Sequence, residues 1–192
     1  MTILIIGLAL FLGAHSTRIF LEPLRMSIIN ASGDGLWKAG HTVLSVAGLV
    51  LIVLGFRSAA PDAQALWVPP FALLHVVPLL MLLSFIILVA AYVPAGRIKG
   101  TLKHPMVVAV VIWSGAHLLV NGMEHEVYLF GAFFVWAVLN FLSARWRDRQ
   151  MALTYIPGPL RNDLICIVLG TLLWAGFVFF AHEWLFGIAP LV

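Results

Sequence analysis

Long apolar runs separated by short polar stretches fill most of the chain. The hydrocarbon core of a bilayer, about 30 Å thick, is crossed by roughly 20 apolar residues in helical form. Six runs reach or approach that length: 2–21, 39–56, 67–93, 105–121, 127–143 and 164–188. The pattern predicts an all-α fold, a polytopic transmembrane helix bundle of about six spans forming a single domain over 1–192. The fourth and fifth runs are short and parted only by the polar turn 122–126, so a re-entrant pair is the alternative there. No stretch between runs exceeds about twenty residues, too little chain for an extramembrane core. No internal repeat or low-complexity segment interrupts the pattern.

Composition agrees. Of 192 residues, 62% are hydrophobic and 10% charged, and the mean hydropathy is +1.07, which excludes a water-soluble fold. The net charge of +3 brings in no nucleic acid, because the basic residues are scattered through short loops rather than gathered on a recognition helix. They read as orientation marks instead. With the amino terminus outside, Arg18, Arg25, Lys38, Arg97, Lys99, Lys103, Arg145, Arg147, Arg149 and Arg161 fall on the cytoplasmic side and only Arg57 outside. That segregation supports six spans in a bacterial inner membrane, with the lipid bilayer as the main partner. The first run has no Lys or Arg before it and carries its positive charge after it, so it is expected to stay as an anchor rather than be cleaved as a signal peptide. The single cysteine, Cys166, lies inside the sixth run as a small buried residue, and no disulfide framework exists.

Candidate chemistry rests on the seven histidines, since an ionisable group inside a bilayer is costly and is by default a functional candidate. His15 is placed in the cytoplasmic half of the first span, His41 near the cytoplasmic start of the second, and His75 in the outer half of the third. His104 opens the fourth at the cytoplasmic face and His117 lies further along it, while His125 and His182 are assigned to the outer surface. His104 and His117 are about 20 Å apart along one helix and about 140° apart around it, so they cannot serve one metal together. Helical spacing puts Trp113, Ser114 and Asn121 beside His117, and Phe11 and Arg18 beside His15, where Gly13 and Ala14 leave room for a bulky group. Pro78 frees the carbonyl of Leu74 and is expected to kink the third helix near His75.

Imidazoles on facing helices with flat aromatics nearby are what a membrane haem b requires. Arg18 and Arg25, with Lys103 or His104, are the candidates to hold propionates at the cytoplasmic interface. The plainer alternative is that each His packs and bonds locally. Spacing does not choose the ligand pair among His15, His75 and His117, and His75 is nearer in depth to His117 than His15 is.

The segment Phe11-Leu-Gly-Ala-His-Ser-Thr-Arg18, with Lys103-His-Pro-Met106 and Trp113-Ser-Gly-Ala-His-Leu-Leu-Val-Asn-Gly122, resembles the NnrU family of membrane proteins over most of the chain. That family name is associated with denitrification and nitric oxide metabolism, and its relatives include 15-cis-zeta-carotene isomerase, a haem b enzyme. The resemblance implies a haem b iron ligated by His15 and by His117 of the Trp-x-x-x-His motif. In the carotene isomerases a Cys follows that Trp and is proposed to exchange with a His. Here Ser114 stands in its place, and a neutral hydroxyl is a poor substitute for thiolate at haem iron.

Three functions follow as expectations. The leading one is a haem b membrane protein of accessory, sensing or electron-transfer type linked to denitrification. The second is a haem-dependent cis-trans isomerase of a polyene such as zeta-carotene. The third is a cofactor-free transporter or structural partner. Expected partners are a small apolar or nitrogen-oxide ligand, other membrane proteins or further copies of the chain. Glu124-His125-Glu126 and His182-Glu183 read as a hydrated polar rim, and Phe186 occupies the place where a zinc-protease motif would need its second His.

Overall fold

The tightest packing lies between the first two long helices. In the computed structural model, which describes residues 1–191, α1 (Thr2–Phe20) and α3 (Asp34–Ala59) run antiparallel, with α2 (Glu22–Ser32) as a short link between them. Glycines make the approach possible: a Cβ on Gly48 would stand 2.7 Å from the backbone nitrogen of Phe11, and one on Gly55 would run into that of Leu4. Leu4, Leu8 and Ile52 fill the seam and are almost fully buried.

The remaining elements are α4 (Phe71–Tyr92), α5 (Arg97–Leu102), α6 (Pro105–Leu118), α7 (Glu124–Gln150), α8 (Leu160–Gly176) and α9 (His182–Phe186). A π turn at Phe177–Ala181 joins α8 to α9, making one apolar rod of Leu160–Phe186. The helices pack side by side in the order α3, α1, α7, α6, α4, α8, so chain order and spatial order differ. Long apolar side chains of α3 and α8, such as Leu54, Val43, Leu172 and Leu164, remain exposed, as expected of surfaces that face lipid.

Among the described residues, five helices are long and apolar enough to cross a membrane. The fourth predicted run is the exception. It was expected to be helical over 105–121 but stops at Leu118, and its 14 residues span about 21 Å. The early stop has a local cause: Asn121 turns its side-chain amide onto the Glu126 carboxylate at 2.9 Å, and the amide of Met123 donates to the other Glu126 oxygen at 3.0 Å. Two anchors show that this segment nonetheless traverses the bundle. His104, just before α6, sits on Asp148 near the end of α7, while Asn121, just after it, sits on Glu126 in the first turn of α7. The segment therefore runs antiparallel along α7.

Basic residues collect at one end, as expected. There Arg147 donates to the carbonyl of Arg18, the Asp163 carboxylate accepts from the amides of Arg97 and Ile98, and the Asn162 amide donates to the carbonyl of Ala95. At the opposite end residues 64–67 pair with 122–124 through backbone hydrogen bonds, beside Arg57 at the close of α3. Pro78 is carried inside α4 without ending it.

Candidate functional site

The α1–α3 seam delivers two imidazoles to one level. Continuing from the Phe11–Gly48 contact toward the end rich in basic residues, it brings His15 against His41 with ring centroids 4.8 Å apart and planes inclined by 68°. The Nδ1 of His15 is 2.7 Å from the carbonyl oxygen of Phe11, one turn back. A carbonyl only accepts, so Nδ1 carries the proton and Nε2 is left with its lone pair. His41 has Ser45 as its neighbour, whose hydroxyl donates to the His41 carbonyl at 2.7 Å and lies 3.4 Å from His41 Nδ1.

A cavity of about 330 Å³ opens at this pair, lined by His15, Arg18, Arg25, Trp37, Lys38 and His41 with two threonines. Arg25 lies over the Trp37 ring at 5.8 Å and is held by Glu22 at 3.0 Å; Lys38 is paired with Asp34 one turn earlier. The pocket thus combines two imidazoles, one flat indole and three cations at the basic end of the bundle. Phe11 stacks on His15 at 4.3 Å, and Trp136 of α7 meets it edge-on at 6.1 Å with an indole N–H that is buried without a partner.

His117 is on a different level. Its Nδ1 donates to the carbonyl of Trp113 at 2.9 Å, the same arrangement as in His15, and its ring is stacked on Phe130 at 4.5 Å beside Trp113 at 5.5 Å. The link to His15 runs through rings: Trp113 touches Phe133, Phe133 touches Phe11, and Phe11 touches His15. The two imidazoles make no direct contact, and the rings of Phe11, Phe133 and Trp113 lie between them. The structure does not bring them together.

Other predicted site residues are turned elsewhere. Ser114 is wholly buried and donates to the carbonyl of Val110 at 2.6 Å, so it faces helix packing rather than a pocket beside His117. Asn121 lies beyond the helix end and serves the turn to α7. His75 is exposed on α4 with Phe71 as its ring neighbour at 5.1 Å, apart from both sites. His104 does not line the His15 cavity: its Nε2 is 2.9 Å from Asp148, which also accepts from Arg145 at 3.2 Å and from the Tyr155 hydroxyl at 2.9 Å. Lys103 lies over the Tyr155 ring at 5.4 Å. His125, read as part of a hydrated rim, is 5% exposed and packs on Phe56 at 4.5 Å, because the turn at 64–67 folds over the start of α7. No group of three or more metal-type side chains occurs among the described residues.

The sequence pattern did not join His41 to His15, and it gave no sign of Trp37, Phe130, Phe133 and Trp136. The glycine spacing Gly48-x6-Gly55, facing Gly7 on α1, was the available pointer to the α1–α3 register. The residues at the His15 end fit haem b in kind: imidazole nitrogen with a fixed tautomer, an aromatic wall, and arginines where carboxylates would sit. The His117 end offers an imidazole and aromatic walls without a cation among its ring contacts.

Comparison with known proteins gives one match. The model of a family described as NnrU protein matches residues 3–190. No curated protein and no solved structure matches the chain.

Proposed function

Because the chain belongs to the NnrU family, we propose that it is a haem b protein of the bacterial inner membrane, acting as an accessory, sensing or electron-transfer component in nitric oxide and denitrification metabolism. The observation that carries this reading is the His15 pocket, where an imidazole with its Nδ1 tied to a backbone carbonyl stands in a cavity bounded by Arg18, Arg25 and Trp37. His15 would be an axial ligand, and the two arginines would neutralise propionates by charge-assisted hydrogen bonds. Bound haem would supply a redox-active iron able to exchange an electron or take up nitric oxide. The chain's own part is to fix the imidazole tautomer, exclude water with Phe11 and Trp136, and hold the carboxylates at the membrane interface.

The test is an absorption spectrum of the detergent-purified protein, oxidised and dithionite-reduced, with a pyridine haemochrome assay. Stoichiometric haem b in the wild type and its loss in His15→Ala is the expected result. Folded protein that takes up no haem even on reconstitution would return the histidines to packing or transport.

One observation favours the polyene isomerase as a second reading. A groove of about 710 Å³ runs along α1 and α7 between Leu12, Gly13, Gly131, Val135 and Trp136, and its lining is mostly apolar. Trp136 lines it and touches His15, so a conjugated chain lying there would reach the imidazole end. Ser114 supplies no ligand to that reading, since its hydroxyl is spent on Val110. Conversion of a cis-carotenoid by the haem-loaded protein separates the two.

A further inference from the structure

We infer that the groove between α1 and α7 is a binding site for an anionic phospholipid, one acyl chain lying along the groove and the phosphate resting on Arg147. The inference stands apart from the haem reading and concerns a different face of α1 from the one packed on α3.

The groove is shaped for a thin apolar chain. It encloses about 710 Å³ between Leu12 and Ser16 of α1 and Val135 and Leu139 of α7. Two of its lining residues are glycines, Gly13 and Gly131, and a Cβ built on either meets nothing within 4 Å. Gly7, Gly48 and Gly55 behave in the opposite way, because a facing backbone already fills the space beside each of them. Glycines at the seam let two helices touch, whereas those in the groove leave volume that no side chain of the described residues takes up. Along α7 the lining runs from Val127 to Leu139, a rise of about 18 Å. That is close to one leaflet of a hydrocarbon core about 30 Å thick, so a chain from the leaflet at the basic end fits lengthwise.

The mouth of the groove carries an unmatched charge. Ser143, one turn past Leu139, and Arg147, one turn further, bring this side of α7 to the basic end. There Arg147 turns back, and its Nη1 donates to the Ser143 hydroxyl oxygen at 2.7 Å and to the Arg18 carbonyl at 3.2 Å. That carbonyl adjoins Ile19 and Phe20, which line the groove. Two of the five guanidinium N–H groups are thus spent, and the fork of Nε and Nη2 is left. Neither Arg147 nor Arg18 forms an ion pair among the described residues: Glu22 is paired with Arg25, and Asp148 with His104 and Arg145, its other oxygen accepting from Tyr155. A phosphodiester matches such a fork, and in an anionic phospholipid it comes attached to the chain that the groove admits. A polyene lying in the same groove would make no use of the guanidinium.

The test presents lipid-depleted, full-length protein in detergent with an equal mixture of phosphatidylglycerol and phosphatidylcholine of the same chains, and counts retained lipid by native mass spectrometry. The wild type should retain one phosphatidylglycerol, preferred about tenfold or more over phosphatidylcholine, since a charge-assisted fork is lost with the neutral headgroup. Arg147→Gln should bring the preference close to parity, and Arg147→Lys, which keeps the charge without the fork, should fall between the two. Gly131→Leu fills the groove and should lower retention of both lipids. Gly176→Leu, on α8 where a Cβ likewise meets nothing within 4 Å, should retain lipid as the wild type does and controls for the bulk of the new side chain. Equal retention of the two lipids by the wild type, an unchanged preference in Arg147→Gln, or equal retention in Gly131→Leu and Gly176→Leu would overturn the inference. So would a groove occupied by a second copy of the chain, seen as a dimer mass that excludes lipid. None of these readouts depends on haem.

Discussion

At the scale of single residues, the polar groups of this chain divide by what they can reach. His15 and His117 both spend Nδ1 on a carbonyl one turn back, yet only His15 opens into a cavity with cations. His104 spends its free nitrogen on Asp148, and Tyr155 completes that cluster from the loop after α7. Burial, reinforced by the Asp148 carboxylate that accepts its proton, holds the Tyr155 hydroxyl above the ordinary tyrosine range. The consequence has a definite sign. A group that gives up its proton less readily when folded contributes stability that is intact below its unfolded pKa of about 10 and disappears as pH rises through the folded value. Tyr155→Phe should therefore cost about 1.5–3 kcal/mol at neutral pH, the worth of a hydrogen bond to a charged group, and should flatten the alkaline fall in melting temperature. Melting curves of both proteins between neutral and strongly alkaline pH check this; parallel curves would show that the Tyr155–Asp148 bond contributes nothing.

At the scale of elements, α1 and α3 act as a unit because nothing but backbone separates them at Gly48 and Gly55. Gly48→Leu places a branched side chain where a Cβ alone would lie 2.7 Å from the Phe11 nitrogen, so the helices must part and His41 must move with α3. Overpacking of this kind costs about 1–3 kcal/mol. The expected result is a lower melting temperature together with a loss of haem. Gly40→Leu is the control, because a Cβ at Gly40 meets nothing within 4 Å; equal behaviour of the two variants would mean that the seam does not set the site. This element scale is also where the sequence is least legible. The hydrophobic runs locate α1, α3, α4, α7 and α8 because bilayer thickness imposes their length. They miss α2, whose 11 residues fall below that ruler, and they overrun α6 at Asn121, where a side-chain bond to Glu126 overrides continued apolarity. Neighbours are hidden for a different reason. In a membrane both the lipid-facing and the protein-facing sides of a helix are apolar, so periodicity does not disclose that α1 packs between α3 and α7. That is why His15 and His117 are recognisable as candidates from their types and motif, while the pairing of His15 with His41 is visible only once the helices are placed.

At the scale of the whole molecule, the two ends are chemically distinct. Arg18, Arg25, Lys38, Arg97 and Arg147 gather at the end that holds the His15 cavity, while the opposite end carries Arg57 and the pairing of residues 64–67 with 122–124. Positive charge is retained on the cytoplasmic side of a membrane, so the cavity should open to the cytoplasm. The orientation depends on α6, the one short helix. If 104–121 crosses, the loop after α7 is cytoplasmic; if it dips and returns, α7 begins inside and that loop is exported. Placing a reporter there decides the matter. Asp62 and Met151 are both exposed, and the native Cys166 is buried, so single cysteines introduced at those positions can be labelled selectively. In intact spheroplasts a membrane-impermeant maleimide should react with Asp62→Cys and should reach Met151→Cys only after permeabilisation. Labelling of Met151→Cys without permeabilisation, with Asp62→Cys also reactive, would make 104–121 a re-entrant segment. It would also put Asp148 and the end of α7 on the outer side, away from His104 and from the end where His15, His41 and their arginines lie. The contact of Arg147 with the carbonyl of Arg18 argues against that separation, because it ties the end of α7 to the end of α1 at a single face.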